Sequence, residues 1–156
     1  MARRLTLPAA LLLVLASCFS AFGEIRVSDD SGRTVVLEQA ARRVVSLYAG
    51  HSENLLALGA GNAIAGVSAS DDPALFPGVP VLPMRADGER ILALRPDLVL
   101  LRPQGEAAAA GVIRLLEKAG VPVVSLSPPT WETMEAYLAR LGALVGAADP
   151  ARPWRE

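Results

Sequence analysis

The chain has 156 residues, of which 15 are basic and 16 acidic, with a formal net charge of -1. The first 23 residues hold two of the arginines and no acid, so the remainder carries 13 basic against 16 acidic residues and has no basic footprint for nucleic acid. Aromatic residues make up 4% of the chain, so we expect one core built from Val, Leu, Ile and Ala.

Residues 1–23 have the pattern of a secretory signal peptide. Arg3 and Arg4 precede an apolar run at 5–16, and small residues are frequent at 17–23. This run is shorter than the roughly 20 apolar residues that a transmembrane helix needs. We therefore expect export, with the protein in the periplasm or at the outer face of the cytoplasmic membrane.

Two processing routes remain open. Signal peptidase could cut before Glu24, or residues 15–18 could act as a lipobox that makes Cys18 a lipidated N-terminus. A lipid at Cys18 would hold the protein at a membrane surface without spanning the membrane. Because Cys18 is the only cysteine, the folded part is expected to have neither a disulfide nor a cysteine metal site.

The first predicted element is a β-hairpin at residues 25–38, where two β-rich runs flank an Asp-Asp-Ser-Gly turn. After the hairpin, apolar strands alternate with helical patterns. Strands are predicted at 44–48, 63–68, 98–101 and 121–126, and helices at 53–58, 89–94, 106–119 and 130–146. Residues 69–88 are predicted to be loop. Strands that are apolar throughout indicate a sheet covered on both faces, and intervening helices indicate parallel pairing. The expected fold is a three-layer α/β sandwich with a roughly four-stranded parallel sheet.

Glycines mark several expected helix ends. Gly59 or Gly61 ends the first helix and Gly120 a later one, while Thr130 is a plausible N-cap of the last helix. Gly59 and Gly61, followed by Gly66, resemble a dinucleotide-binding fingerprint only superficially. Here the glycines follow a helix, whereas those of the fingerprint precede one.

Ligands of open parallel sheets bind outside the carboxyl ends of the strands. The loops at 48–52, 68–72, 102–105 and 127–130 are therefore the first places to look for a site. The first of these loops holds Tyr48 and the only histidine, His51. Two interpretations stay open: His51 contributes to binding an oxyanion, a chelated metal or a haem-like ligand, or it is a solvated turn residue beside the helix cap Ser52.

Catalysis is not expected. The chain has no nucleophile-elbow or phosphate-loop motif, one histidine cannot form a multi-histidine metal site, and nothing positions a serine against His51. We accordingly expect no cofactor. Arg85, Arg90 and Arg102 are the basic residues nearest the strand ends. Any of them could pair with an acidic ligand, although lone arginines are most often solvated surface groups.

Three segments carry a family resemblance: residues 27–37, 42–68 and 89–101. They contain, in this order, a hairpin, a strand–turn–helix that ends in Leu-Gly-Ala-Gly, and a strand that begins Leu-x-Pro-Asp-Leu-Val. The order and spacing of these motifs resemble those of the helical-backbone (class III) substrate-binding proteins of bacterial ABC importers. Such proteins serve ferric siderophores, haem, cobalamin and some metal or oxyanion ligands. They have two lobes joined by a long helix, so residues 24–148 would be the N-terminal lobe and 149–156 a loose tail or the start of that helix.

The resemblance also implies site residues. Glu89 matches the glutamate that docks the first lobe on the ABC permease. Ligand contacts would come from three loops, namely from Tyr48, Gly50, His51, Ser52, Ser70, Asp71, Met84 and Arg85. These loops carry fewer aromatic residues than those of cobalamin- or haem-binding relatives, so the ligand stays open among iron complexes, corrinoids and related metal or oxyanion species.

A single lobe offers half of a cleft, so weak affinity is expected unless a second lobe or a second copy completes the site. Two alternatives remain. The chain could be a structural or interaction domain that dimerises through its cleft face, or, less favoured, a small exported α/β enzyme that uses His51.

Overall fold

The structure is a computed structural model that describes residues 23–83, 85 and 87–147. The predicted signal peptide up to residue 22, with Cys18, lies outside the described residues, as do Met84 and the tail at 148–156. No helix in the described part of the chain is both long and apolar enough to cross a membrane.

The elements alternate along the chain much as the apolar pattern predicts. The strands are β1 Ile25–Ser28, β2 Thr34–Leu37, β3 Val44–Ser46, β4 Ile64–Ser68, β5 Val81–Leu82, β6 Leu98–Leu101 and β7 Val123–Ser125. The helices are α1 Ala49–Ala57, α2 Gly88–Ala93, α3 Pro103–Lys118 and α4 Met134–Val145. β1 and β2 form an antiparallel hairpin, and the other strands form a parallel sheet in the order β5-β4-β3-β6-β7. The predicted α/β fold with its N-terminal hairpin is confirmed.

The sheet has five strands, not roughly four. The added strand, β5, has two residues and pairs with the end of β4 through Val67 and Ser68. It lies within the stretch predicted to be loop, since two residues are too few to show the alternation by which strands are recognised in a sequence.

Both faces of the sheet are buried, as the three-layer prediction requires. Leu98 and Leu100 of β6 pack in one core with α1, α4 and the hairpin, while Val99 and Leu101 pack in a second core with α2 and α3. Successive strand residues point to opposite faces, so a strand that is apolar throughout supplies both cores at once.

Three predicted helix starts were wrong. α1 begins at Ala49, so Gly50, His51 and Ser52 lie in its first turn and not in a loop. α3 begins at Pro103, a residue well suited to a first helical position. α4 begins at Met134.

Thr130 does not cap α4, because the N-cap is Thr133. The Thr130 hydroxyl instead donates to the Glu132 carboxylate at 2.7 Å. The glycine stops are as predicted, with Gly59 at φ +74 and Gly120 at φ +78.

The buried carboxylate of Asp29 anchors the hairpin to the body of the fold. It accepts bonds from the backbone N–H of Arg33 at 2.8 Å and of Ser125, at the end of β7, at 3.2 Å. The Arg33 guanidinium pairs with Asp29 and also with Glu106 of α3. Asp29 thus joins the hairpin to the sheet, and Arg33 joins it to α3.

Candidate functional site

The order of the strands places a crevice between β3 and β6. From β3 the chain continues to β4 and β5 on one side of the sheet, whereas β6 and β7 lie on the other side. Ligands of open parallel sheets bind at such a switch point, outside the carboxyl ends of the strands. Tyr48 lies two residues after β3, and Arg102 directly follows β6.

Tyr48 and Arg102 contact each other at this point. The carbon at the centre of the Arg102 guanidinium lies 4.4 Å from the centroid of the Tyr48 ring, a cation–π arrangement. Both residues are half-buried. The pair therefore presents a positive charge and an aromatic ring together at the carboxyl edge of the sheet.

Gly50 leaves room for the Tyr48 ring. A Cβ atom added at Gly50 would lie 2.6 Å from Cε1 and 3.0 Å from Cζ of that ring, closer than such atoms approach. The backbone of Gly50 is helical, so the glycine is explained by this close approach of the ring. We therefore assign Gly50 to the positioning of Tyr48.

His51 is fully buried beneath the pair, and both of its ring nitrogens are hydrogen-bonded. Nε2 lies 3.1 Å from the carbonyl oxygen of Leu101, and Nδ1 lies 2.8 Å from the hydroxyl of Tyr137 in α4. A carbonyl only accepts, so Nε2 carries the proton and Nδ1 accepts from the Tyr137 hydroxyl. The prediction that His51 lies in a turn loop was wrong, and no serine is among its hydrogen-bond partners.

The surroundings keep His51 neutral. Burial, opposed by the bond to Leu101 and assisted by the nearby charge of Arg102, lowers the pKa of His51 from 6.5 to about 4. Burial likewise raises the pKa of the Tyr137 hydroxyl above its ordinary value of 10.0. At neutral pH an uncharged imidazole thus accepts from an uncharged phenol.

Ser52 is buried as well and ties α1 to β3. Its hydroxyl donates to the hydroxyl of Ser46 at 2.8 Å, and the Ser46 hydroxyl donates to the carbonyl oxygen of Tyr48 at 3.0 Å. Ser52 is therefore a support of the crevice floor, and its expected role as the helix cap was wrong because the N-cap is Tyr48.

The loop after β4 is closed by Asp71. This buried carboxylate accepts from the backbone N–H and from the hydroxyl of Ser68, each at 2.8 Å. Ser70 remains exposed, with its hydroxyl 2.6 Å from that of Ser68. Asp71 thus shapes the loop, and Ser70 is the member of this predicted pair that faces solvent.

The loop before α2 contains the last site candidates. Arg85 is exposed, and its neighbour Met84 lies outside the described residues. Glu89 is exposed in the first turn of α2, next to the N-cap Asp87, whose side chain accepts from the backbone N–H of Arg90 at 2.8 Å. Neither Arg85 nor Ser70 has a hydrogen bond or ion pair to Tyr48 in the described part of the chain.

A second concavity lies at the end of β7, with a cavity volume of about 370 Å³. It is lined by Asp30, Ser127, Pro128, Pro129, Thr133, Tyr137 and Arg140. Arg140 pairs with Asp30 across it, and this hydrogen bond lowers the pKa of Asp30. Tyr137 thus lines this cavity and also bonds to His51 below the crevice.

From the sequence, Arg102 was one of three arginines near the strand ends, and its contact with Tyr48 was not predicted. The available signal was its position directly after β6, at the edge where ligands bind, but the sequence does not show that β6 lies beside β3. Among the residues that the structure describes, no three His, Cys, Asp or Glu side chains are grouped closely enough to hold a metal ion.

Comparison with known proteins gives a consistent result. A family model described as "Periplasmic binding protein" matches residues 44–155. The chain is 30% identical over 105 residues to an uncharacterized ABC transporter substrate-binding lipoprotein, YvrC, of Bacillus subtilis (strain 168), covering 66% of this chain and 33% of that protein.

Two solved structures extend this result. A periplasmic heme binding protein from Pseudomonas aeruginosa is 31% identical, with a TM-score of 0.60, over 72% of this chain and 41% of that one. The heme binding protein HmuT is 25% identical, with a TM-score of 0.66, over 84% of this chain and 43% of that one. The chain thus spans less than half the length of each of these three relatives.

Proposed function

The chain belongs to the periplasmic binding protein family, and from this premise we propose that it is the extracytoplasmic solute-binding component of an ABC importer. It captures an iron complex, a corrinoid or a related metal or oxyanion ligand and delivers it to a permease. The observation that carries this proposal is the Tyr48–Arg102 pair at the switch point, where open parallel sheets bind ligands.

The relatives support the ligand class. The Bacillus protein is described as a substrate-binding lipoprotein of an ABC transporter, and both solved structures are described as heme binding proteins. Planar or metal-chelating ligands present aromatic faces and anionic groups, which an aromatic ring and a guanidinium can contact.

Among the residues expected to touch ligand, the proposal keeps those that reach the surface. Tyr48 is half-buried at the carboxyl edge, and Ser70 and Arg85 are exposed on the adjoining loops. Met84 lies outside the described residues and stays in the proposal on the sequence resemblance alone. Gly50, His51, Ser52 and Asp71 are assigned to the support of these groups, since each is explained by contacts within the protein.

Docking to the permease is proposed to use Glu89. Its side chain is exposed at the start of α2 and has no ion-pair partner among the described residues, so its charge is available to a basic partner surface. We further propose that the protein is exported and is then either released into the periplasm or attached to the membrane by a lipid at Cys18. The second route agrees with the description of the Bacillus relative as a lipoprotein.

The test is a titration of the ¹⁵N-labelled chain with haemin, ferrichrome, cyanocobalamin and molybdate, followed by NMR. One of these compounds is expected to shift the amides of Tyr48 and Ser70 saturably, with an affinity weaker than micromolar because the chain spans under half of the matched structures. Tyr48→Ala is expected to weaken that binding, and Val36→Ala, at an exposed position of hairpin strand β2, is the control. The proposal is wrong if none of the four compounds shifts carboxyl-edge amides.

A further inference from the structure

Arg102 differs from the other arginines near the core in having no partner for its donors. Arg33 and Arg140 form ion pairs with aspartates, and Arg43 donates to the carbonyl oxygens of Leu94 and Arg95. Within residues 23–83, 85 and 87–147, no hydrogen bond or ion pair involves the Arg102 side chain. A guanidinium has five N–H donors, so those of Arg102 are available to a ligand.

The guanidinium is nevertheless held in place. It stacks on the Tyr48 ring, whose own position is limited by Gly50 and by an edge contact with His51 at a centroid distance of 5.0 Å. The contact with the ring restricts the guanidinium and thereby reduces the entropy that is lost when a ligand binds.

Among the described residues, no carboxylate forms an ion pair with Arg102, and Glu106 in the first turn of α3 is paired with Arg33. His51 is kept neutral, and the proximity of Arg102 contributes to lowering its pKa. α1 and α3 both begin at this edge without a side-chain cap, so their positive dipole ends add to the potential of the guanidinium.

We propose that Arg102, stacked on Tyr48 at the switch point, binds a carboxylate group of the transported ligand in a bidentate manner. The inference rests on the proposed function and narrows it to anionic, carboxylate-bearing chelates. Bidentate Arg–carboxylate pairs, with two parallel N–H···O bonds, are among the strong hydrogen-bonded contacts in proteins.

The test compares an anionic with a neutral chelate on the full chain. Gallium(III) citrate and gallium(III) ferrichrome, which are diamagnetic, are titrated into the ¹⁵N-labelled protein, with molybdate and metal-free citrate as further probes. Arg102→Met is expected to weaken the binding of gallium citrate at least tenfold and to leave that of ferrichrome unchanged. Arg102→Lys keeps the charge without the guanidinium fork, so its affinity for gallium citrate should lie between those of the unsubstituted protein and Arg102→Met. Arg114→Met, on the exposed face of α3, is the matched control.

Each outcome decides one claim. Selective loss of citrate binding in Arg102→Met, with thermal stability unchanged, supports the inference. Citrate binding equal in both proteins, or molybdate bound more tightly than either citrate species, overturns it. Ferrichrome binding at the crevice without any citrate binding also overturns it while leaving the proposed function intact. Absence of binding by all four probes overturns the inference, and it overturns the proposed function as well only if haemin and cyanocobalamin also fail to bind.

Discussion

Tyr137 and His51 are both almost fully buried and share a hydrogen bond of 2.8 Å. Tyr137→Phe would leave Nδ1 of His51 buried without a donor, so we expect the free energy of unfolding to fall by about 1–2 kcal/mol. Urea denaturation measures this difference. Tyr48→Phe removes a hydroxyl from the other, half-buried tyrosine and should change stability by less than about 0.5 kcal/mol. Equal losses in the two variants would contradict the assigned bond.

The same histidine predicts how stability depends on pH. Its pKa is lowered to about 4 in the folded protein against 6.5 when unfolded, so between these values the unfolded chain binds a proton that the folded one does not. The free energy of unfolding should therefore decrease as pH falls from 6.5 toward 4, by up to about 3 kcal/mol from this group.

Denaturation at pH 7 and pH 4.5 tests that dependence cleanly, because His51 is the only histidine of the chain. Glutamine does not titrate, so the free energy of unfolding of His51→Gln should change less over this range. The slope of that free energy against pH should be lower than in the unsubstituted protein by the equivalent of nearly one bound proton. Tyr48→Phe retains the histidine and both of its ring hydrogen bonds, and it is the control that keeps the slope. An unchanged slope in His51→Gln would show that the imidazole is not buried neutral.

At the residue scale the sequence predicts positions better than contacts. That Tyr48 follows a strand at the ligand-binding edge was predicted from local pattern alone. The burial of His51 was not, since it depends on Tyr137, which is 86 residues away. The stacking of Arg102 on Tyr48 is also a long-range contact that no local pattern records.

At the scale of elements, a glycine inside α3 and a glycine after its end differ in the backbone conformation that they adopt. Gly120 follows the helix at φ +78, a conformation that strains any residue with a Cβ, whereas Gly111 lies exposed inside the helix. A Cβ at either position would meet no atom within 4 Å, so the backbone alone decides the outcome.

Gly120→Ala should lower the free energy of unfolding by about 1 kcal/mol, and Gly111→Ala should raise it by roughly 0.5–1 kcal/mol. Both values come from urea denaturation of otherwise identical chains. A loss of stability in Gly111→Ala would indicate a packing contact at that face, contrary to the open surface of the structure.

Element types followed from the sequence more reliably than element ends. The apolar runs of β6 and β7 and the glycine stops are local signals and were predicted. The start of α1 was misplaced because Tyr48 caps the helix only through its backbone, without the side-chain bond that marks an N-cap in sequence. The start of α3 carried a usable signal in Pro103.

At the scale of the whole molecule, the hairpin and the parallel sheet are separate sheets that polar contacts of Asp29 and Asp30 join. Apolar residues of the hairpin, Val27 and Leu37, enter the same core as α4. Its direction relative to the sheet is set by Asp29, whose side chain is fully buried between the hairpin turn, β7 and Arg33. This joint is the place where a single substitution should affect the assembly of the fold.

Asp29→Ala removes the acceptor for the backbone N–H groups of Arg33 and Ser125 and the partner of a guanidinium. Because these donors stay buried or partly buried without it, we expect the free energy of unfolding to fall by about 2–4 kcal/mol. Asp72→Ala, which removes an exposed carboxylate bonded only to the backbone N–H of Ala74, should cost under about 1 kcal/mol.

Hydrogen exchange distinguishes loss of the joint from general destabilisation. In Asp29→Ala the amides of β1 and β2 should exchange faster relative to those of β6, since the hairpin then opens without unfolding of the parallel sheet. Uniform acceleration of all amides would instead mean that hairpin and sheet unfold as one unit. In that case the apolar contacts of Val27 and Leu37, and not the Asp29 network, hold the two sheets together.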